Sequence, residues 1–452
     1  MTQPDRRRIA EALTAVRGRT LELVSGLSED ALSRQHDPLM SPIIWDLGHI
    51  GAFEELWLVR RLGAVSSESE MDDLYDAFRT PRSARGALIL AGGQHLFDRL
   101  AQVRHEALLR LDTVVFETSN PLLRDGFAYE MVREHEAQHQ ETILQTIFLM
   151  TSEAYAPSSR RAHPAGMRAE AGEMIRVPAG PFQTGATAAG FAYDNERPRH
   201  TASVDEFDIG RYPVTNGEYL EFIASAGYTD RRLWSDAGWH WKEEAGVSTP
   251  MYWEPAGGGD SLSGSEVIEL ARGVGADGWL RRTALGAEPL EPSEPVIHVC
   301  WHEAEAYARF ASGRLPTETE WEKAAAWDPA CDEPRTYPWG EDPPSLQRAN
   351  LDQLAFGPAP IGSFPEGRSA AGCEHLVGDV WEWTASEFGG YPGFKAFPYR
   401  EYSEVFFGPD YRVLRGSSWA TRPEVSRNSF RNWDYPVRRQ IFAGLRLARD
   451  VR

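Results

Sequence analysis

The stretch MVREHEAQHQETILQTI, residues 131–147, decides the fold of the first part of the chain. It is rich in helix-forming residues and places His135 and His139 four positions apart, so both rings lie on one face of a helix. Ile143 and Ile147 fall on or beside the same stripe, where core residues are expected. A buried imidazole needs a partner, because an unsatisfied buried nitrogen costs about 1–3 kcal/mol. The spacing predicts a metal site, and two hydrogen-bonded core histidines are the plainer alternative.

The length and composition indicate a soluble protein of two or three domains. The chain has 452 residues, 42% hydrophobic and 25% charged, which is too long for one ordinary core. Its formal net charge of −20 argues against a nucleic-acid or anionic-membrane partner. Three cysteines without CxxC spacing fit a reducing compartment, and the N-terminus resembles neither a signal peptide nor a membrane span. We therefore predict a cytoplasmic protein, and we infer no obligate protein partner.

Four long segments with helical periodicity make up the first third of the chain. They are joined by short links, which is typical of a four-helix bundle. The segments are Arg6 to Leu27, Pro42 to Leu62, Gly86 to Leu111 and Gly126 to Met150. The second carries His49 near the stripe of Trp45 and Phe53. A histidine beside aromatic residues is more often a core residue, but the pair on the fourth helix favours a three-histidine metal triangle.

The residues from His135 to His139 also read HEAQH, which fits the H-E-x-x-H pattern of zinc proteases with Glu136 as general base. The extended protease motif needs glycine and histidine where Thr142 and Gln145 stand, so we favour a site without proteolytic activity. Three neutral imidazoles suit zinc, which activates water, and iron, which binds a thiolate and O2 together. Ligand type alone does not choose between the two metals.

A basic stretch, YDAFRTPRSARGAL, lies between the second and third helical segments. Arg82 and Arg85 point the same way if Pro81 opens a helix. Arginine binds carboxylates in a bidentate manner, so the pair is a candidate clamp for an acidic substrate. A solvated basic helix start is an equally good interpretation of this stretch alone.

The composition and the hydrophobic periodicity of the sequence change after the fourth helix, and this change defines the predicted domain boundaries. Residues 1–150 form the bundle, and residues 151–173, rich in Ala, Pro, Ser and Arg, form a linker. Residues 174–452 consist of short β-rich runs with many Gly, Pro, Trp and Asp. They predict an irregular α+β domain of low regular secondary structure.

Two family resemblances join these observations. The runs VPAGPFQTG, GRYPVTNGEY, GRLPTETEWEKAA, GDVWEWTAS, LRGSSW and GLRLAR resemble the formylglycine-generating-enzyme (sulfatase-modifying factor) domain, a variant of the C-type lectin fold. That family's own activity needs a cysteine pair late in the domain, but the last cysteine here is Cys373, so we do not expect formylglycine generation. The N-terminal third resembles the DinB-like four-helix bundle, whose members bind divalent metal through three histidines. The fusion is similar to EgtB, the iron-dependent sulfoxide synthase family of ergothioneine biosynthesis.

The EgtB resemblance implies an oxidoreductase that uses O2 to join the thiol of γ-glutamylcysteine to hercynine (trimethylhistidine), giving hercynyl-γ-glutamylcysteine sulfoxide. It implies that His49, His135 and His139 hold iron, Fe(2+), and that Tyr399 is the catalytic tyrosine, with Tyr402 and Tyr391 as alternatives. The residues implied for γ-glutamylcysteine are Arg82, Ser83, Ala84, Arg85, Asp434 and Arg438. Those implied for hercynine are Gln138, Asn432, Trp433 and Tyr402.

Three other hypotheses stay open at this point. Some relatives use cysteine as the thiol donor, and the arginine pair is our reason for preferring the dipeptide. A zinc-dependent DinB-type thiol transferase or hydrolase would need a metal-bound water and no tyrosine. A carbohydrate- or protein-binding lectin-like module on a vestigial bundle belongs to a different class, and the inward histidines disfavour it.

Overall fold

The structure, a computed structural model, describes residues 4–63, 71–88, 90, 92–116, 119–150, 155–164, 169–257, 262–331 and 333–451. The chain divides into two compact units, Met1–Ser159 with Ala189–Phe191 and Arg160–Ala188 with Ala192–Arg452. Residues 151–154 and 165–168 of the predicted linker lie outside the described residues. The boundaries at 150 and 174 therefore stay predictions.

The first unit is helical. Its helices are α1 (Arg6–Val24), α2 (Glu29–Ser33), α3 (Ile43–Glu54), α4 (Met71–Leu74), α5 (Arg82–Arg85), α6 (Gly93–Thr113) and α7 (Phe127–Leu149). A π-helical segment, Glu55–Arg61, continues α3. The four long helices form a bundle in which α1 packs on α7, and α3 packs on both α6 and α7. The third predicted segment is wrong at its start, because α6 begins at Gly93 and not at Gly86. A separate helical turn, Arg82–Arg85, precedes it.

Four buried charges, one from each long helix, form a network in the core of this bundle. Arg17 of α1 contacts Glu54 of α3 at 2.8 Å and Glu136 of α7 at 2.7 Å. Arg104 of α6 contacts the same two carboxylates at 2.5 and 3.0 Å. All four residues are less than 10% exposed. Burial alone would raise the pKa of Glu136, but the two arginines outweigh it and lower that pKa.

The second unit mixes short helices and short strands. Its helices are α8 (Asn216–Ala224), α9 (Asp236–Ala245), α10 (Gly264–Val274), α11 (Trp301–Phe310) and α12 (Glu318–Ala326). Its strands are β1 (Met174–Val177), β2 (Gly180–Thr184), β3 (His200–Val204), β4 (Phe207–Gly210), β5 (Trp253–Pro255), β6 (Trp279–Thr283), β7 (Gly286–Pro289), β8 (Trp381–Phe388), β9 (Gly408–Arg415), β10 (Asn432–Asp434), β11 (Ala443–Leu445) and β12 (Ala448–Asp450).

Four small sheets connect these strands. Their orders are β1-β4-β12, β10-β9-β8-β11, β2-β3 and β5-β6-β7. All strand pairs are antiparallel except β11 with β8, which is parallel. Helix α12 packs on the sheet that contains β8 and β9, with the fully buried Trp321 in a cluster with Phe207 and Ile209. Within the described ranges, no helix is both long enough and apolar enough to cross a lipid bilayer.

Candidate functional site

Three histidine side chains of the first unit converge at one point of the bundle. His49 comes from α3, and His135 and His139 come from successive turns of α7. One nitrogen from each ring lies within 4.8 Å of the others, and Nε2 of His49 lies 3.2 Å from Nε2 of His135. Among the described residues this is the one cluster of three or more potential ligands with that geometry. The structure therefore brings together all three predicted metal ligands.

The ring of His49 is fixed on two sides. Its Nδ1 donates a hydrogen bond of 2.6 Å to the backbone carbonyl oxygen of Tyr75, which leaves the lone pair on Nε2, facing the other histidines. The indole of Trp45 stacks on the ring, with centroids 5.1 Å apart and planes 9° apart. Burial, with the neighbouring His139, lowers the pKa of His49 to about 3, so the imidazole is neutral near pH 7.

Gly48 is required by the packing that supports His49. A methyl group at this position would overlap the buried ring of Tyr75, whose own carbonyl oxygen accepts the His49 hydrogen bond. We expect Gly48→Ala to cost about 1–3 kcal/mol in the free energy of unfolding, as overpacked cores do, and also to weaken metal binding. Denaturant unfolding and metal titration of the same protein measure the two effects. Gly18→Ala on α1, where the added methyl meets no atom within 4 Å, is the matched control.

The surroundings of the other two histidines are aromatic on one side and acidic on the other. Phe53 stacks on His135, with ring centroids 3.7 Å apart. Oδ1 of Asp46, a residue only 1% exposed, lies 3.3 Å from Nδ1 of His139. Burial, with the charges of its two histidine neighbours, lowers the pKa of His135 well below its usual value.

Glu136 does not fit the role of a protease general base. Its Oε1 accepts hydrogen bonds from Arg17 and Thr20, each 2.7 Å long, and its Oε2 accepts from Arg104. Both carboxylate oxygens are thus engaged in the core network. The H-E-x-x-H match comes from two histidines that face the site and a glutamate that faces the core.

The donor set fits a divalent transition metal. The three residues offer imidazole nitrogens, at least two of the rings are held neutral by burial, and the His49 hydrogen bond directs one lone pair inward. Imidazole suits zinc and iron alike, so the cluster supports a metal site without selecting the metal.

The two predicted arginines of α5 have different environments. Arg82, Ser83 and Ala84 are exposed, and the carbonyl oxygen of Arg82 accepts a 2.8 Å hydrogen bond from Gln35. Arg85 is only 5% exposed and donates to Ser41 Oγ at 2.6 Å and to the Thr80 carbonyl oxygen at 2.9 Å. Its guanidinium carbon also lies 3.4 Å from the centroid of the Trp45 ring.

The predicted aromatic residues of the second unit form one cluster. Tyr399 and Tyr402 make an edge contact with centroids 6.3 Å apart, and Tyr402 makes another with Trp433 at 5.9 Å. Tyr193 stacks on Tyr402 and Phe388 stacks on Trp433, each pair with centroids 4.1 Å apart. Tyr402 and Trp433 are therefore each held by a stacked neighbour that the sequence did not single out.

The predicted polar residues of the second unit lie beside this cluster. Asn432, Trp433 and Asp434 make up β10, which pairs with β9. Asp434 Oδ1 lies 3.2 Å from Nε of Arg438, which is 6% exposed. In the first unit, Gln138 lies on α7 beside the ligands and donates a 3.3 Å hydrogen bond to the carbonyl oxygen of Glu134. Every predicted site residue is described, and the roles assigned to them stay predictions.

Sequence reasoning missed Asp194, which fastens the loop that carries Tyr399. Asp194 accepts hydrogen bonds from the Phe397 backbone N–H at 3.1 Å and from Ser403 Oγ at 2.6 Å, on either side of the tyrosine. Burial, followed by the charges of Asp194 and Glu401, raises the pKa of the Tyr399 phenol. The hydroxyl of Tyr391, the alternative tyrosine, lies 3.4 Å from Glu322 Oε2 inside a buried ion network. No sequence pattern around Asp194 indicated this role.

Comparison with known proteins places the chain in a family. A model of the DinB superfamily matches residues 12–143, and a model of the sulfatase-modifying factor enzyme 1-like domain matches residues 160–451. The hercynine oxygenase of Mycolicibacterium thermoresistibile is 46% identical over 99% of this chain and 96% of its own length. The chain belongs to the hercynine oxygenase family. A second member, from Mycobacterium tuberculosis, is 44% identical over the full length of both chains.

Membership of the hercynine oxygenase family confirms the predicted fusion of a DinB-like bundle with a formylglycine-generating-type α+β domain, and makes the chain an oxidoreductase. The formylglycine-generating enzyme of Mycobacterium tuberculosis is 32% identical over 50% of this chain and 77% of its own length. In this chain Cys300 and Cys373 are buried free thiols, and burial raises the pKa of Cys373 to about 11. A protonated, buried thiol is a poor nucleophile, whereas the third cysteine, Cys331, is exposed. The expected lack of formylglycine generation stays a prediction.

Proposed function

We propose that this chain is an iron(II)-dependent oxygenase that couples γ-glutamylcysteine to hercynine with O2, giving hercynyl-γ-glutamylcysteine sulfoxide. The observation that carries the proposal is the triangle of His49, His135 and His139, within a chain that is similar over its whole length to hercynine oxygenases. The reaction forms a C–S bond and an S–O bond at the expense of the thiol S–H and the imidazole ring C–H. One oxygen atom of O2 enters the sulfoxide, and the other leaves as water with both hydrogens.

The histidine triangle would hold iron, which supplies sites for a thiolate and for the activation of O2. Side chains of the protein would bind the two substrates and supply a hydrogen to the reaction. Trp433 and Tyr402 offer aromatic surfaces to the trimethylammonium group of hercynine. Asn432 and Gln138 offer amides to the rest of that substrate. Asp434 and Arg438 complement the ammonium and a carboxylate of the thiol donor.

Tyr399 is the proposed catalytic tyrosine. Its phenol is protonated at neutral pH, and burial with the nearby Asp194 raises its pKa further, so the hydroxyl retains its hydrogen until the reaction takes it. Tyr391 is less suited to this role, because its hydroxyl lies beside Glu322 and its ring lies under Arg431, with 4.2 Å between the guanidinium carbon and the ring centroid.

The choice of γ-glutamylcysteine over cysteine depends on the arginines of α5. We expect Arg82→Ala to raise the KM for γ-glutamylcysteine about 10–100-fold and to leave that for hercynine nearly unchanged, because a charge-assisted hydrogen bond contributes about 1.5–3 kcal/mol. Arg85→Ala should raise the same KM, and it should also lower thermal stability, since Ser41 and Thr80 lose a buried donor. Initial rates with each substrate varied in turn measure both.

The exposed Arg79, which pairs with Asp73 close to α5, provides the matched control, and Arg79→Ala should leave both KM values unchanged. An equal rise in both KM values for Arg82→Ala and Arg85→Ala would show that these arginines have a structural role only.

The direct test of the proposed function is a reaction under air with protein reconstituted with iron(II). Hercynine is supplied with either γ-glutamylcysteine or cysteine, and products are identified by mass spectrometry. We expect the coupled sulfoxide, with γ-glutamylcysteine as the faster donor. Absence of a coupled product and of O2 consumption, in protein that retains zinc, would contradict the proposal and favour a zinc-dependent transferase.

A further inference from the structure

Asp46 is a buried carboxylate that the proposed reaction does not use. It lies on α3 one turn before His49, and its side chain is 2% exposed. Charged side chains this deeply buried are normally paired, because an isolated buried charge is costly. Within the described part of the chain, however, neither Asp46 Oδ2 nor Nδ1 of His139 has a hydrogen-bond partner.

The carboxylate of Asp46 lies against a proposed metal ligand. Asp46 Oδ1 lies 3.3 Å from Nδ1 of His139, within reach of a hydrogen bond. The two atoms do not form a hydrogen bond in this structure. A small rotation of the imidazole would direct an Nδ1 proton at Asp46 and keep the Nε2 lone pair for a metal ion. That arrangement would parallel the one at His49, whose Nδ1 is held by the Tyr75 carbonyl oxygen, with an anion as the acceptor.

A carboxylate behind a metal-bound imidazole has two effects. It fixes the tautomer and the ring orientation, and it makes the imidazole a stronger donor to the metal.

We propose that Asp46 is a positioning residue for the metal centre, which orients His139 and strengthens its bond to the ion. This inference rests on the proposed metal site and adds a residue outside the coordination sphere. It requires that removal of the Asp46 charge lowers the metal affinity of a protein that still folds.

The test compares metal affinity in the full-length chain with Asp46→Asn, which preserves shape and removes the charge. Dissociation constants are measured for iron(II) under anaerobic conditions and for zinc(II) against a chelator, without substrates. We expect Asp46→Asn to raise both constants about 10–100-fold, the usual effect of losing such a partner. Cobalt(II) absorption spectra of the loaded proteins should also change, because the basicity of one ligand has changed.

Glu55→Gln is the matched control. Glu55 directly follows α3, and its carboxylate lies 2.7 Å from Arg99 of α6, so the variant removes one carboxylate of the bundle without touching a histidine. Its metal affinity and cobalt(II) spectrum should match those of the unmodified protein. An equal loss of affinity in both variants, or unchanged affinity in Asp46→Asn, would overturn the inference.

Asp46→Glu keeps the charge, and its metal affinity provides the test if Asp46→Asn does not fold. Retained affinity in Asp46→Glu supports the role of the charge, and a loss of 10-fold or more overturns it. The proposed function fails separately, if the unmodified protein binds neither iron(II) nor zinc(II).

Discussion

Replacement of His135 by alanine should abolish metal binding and the coupling reaction together. His135 Nε2 faces His49 Nε2 at 3.2 Å, so the variant leaves two imidazoles where three converge. Loss of a direct ligand should weaken binding by more than the 10–100-fold typical of residues outside the coordination sphere. Metal content after dialysis and the rate of sulfoxide formation should fall in parallel, with iron(II) as the added metal.

The control for this experiment is His105→Ala, which removes an exposed histidine of α6 in the same bundle. It should retain metal and activity. Retention of stoichiometric, tightly bound metal in His135→Ala would mean that the three histidines are a hydrogen-bonded core cluster, as the plainer interpretation of their spacing holds. Thermal unfolding separates these outcomes from simple misfolding, since metal should raise the Tm of the control and not of His135→Ala.

Tyr399→Phe should lower kcat for sulfoxide formation about 10²–10⁴-fold, the range typical of a lost general acid or base. Its KM values should change little, because the ring and its contact with Tyr402 remain. The hydroxyl is the only group removed, and burial, which raises the pKa of the phenol, keeps it protonated at neutral pH and so able to donate a hydrogen bond or a hydrogen atom. Steady-state kinetics with both substrates, with products resolved by mass spectrometry, measure the effect.

Two further variants show whether Tyr399 or one of the alternative tyrosines is the catalytic residue. Tyr391→Phe removes a hydroxyl that lies near Glu322 in the core and should affect stability more than rate. Tyr402→Phe keeps the stacked ring beside Tyr193 and should affect hercynine binding more than kcat. A full rate in Tyr399→Phe with a large loss in Tyr402→Phe would transfer the catalytic role to Tyr402.

The fold of the first unit could be predicted where local pattern dominates. The sequence predicts the fourth helix at 126–150 and the structure has it at Phe127–Leu149, because helix-forming residues run through the whole segment. The third helix could not be delimited in the same way. Its predicted start is Gly86, but α6 begins at Gly93. Gly86 instead follows the turn Arg82–Arg85, where the distant Gln35 side chain packs against it and donates to the Arg82 carbonyl oxygen, a contact that the local pattern does not show.

In the candidate site too, features set by local sequence could be predicted, and contacts between distant residues could not. Helical periodicity alone predicts that His135 and His139 lie on one face. His49 lies on a different helix, and only the pair on the fourth helix made it a candidate third ligand. The Tyr75 carbonyl oxygen that orients His49 is a backbone group, so no residue type could signal it. The motif HEAQH suggested a catalytic role for Glu136 that its position does not support. Adjacent helical positions point about 100° apart, and the motif alone does not show that Glu136 faces the core while His135 faces the site.

The charge network of the bundle core has a consequence for how accurately the histidines are placed. If α7 slid by one turn against its neighbours, Glu136 would lose both arginines, and an uncompensated buried charge costs about 3–5 kcal/mol. Since Arg17, Glu54, Arg104 and Glu136 come from four different helices, we expect other alignments of any of them to be penalised similarly. These four charges, which bind no metal, therefore help to set the distances between the three imidazoles. They disfavour misaligned helices even in the metal-free protein.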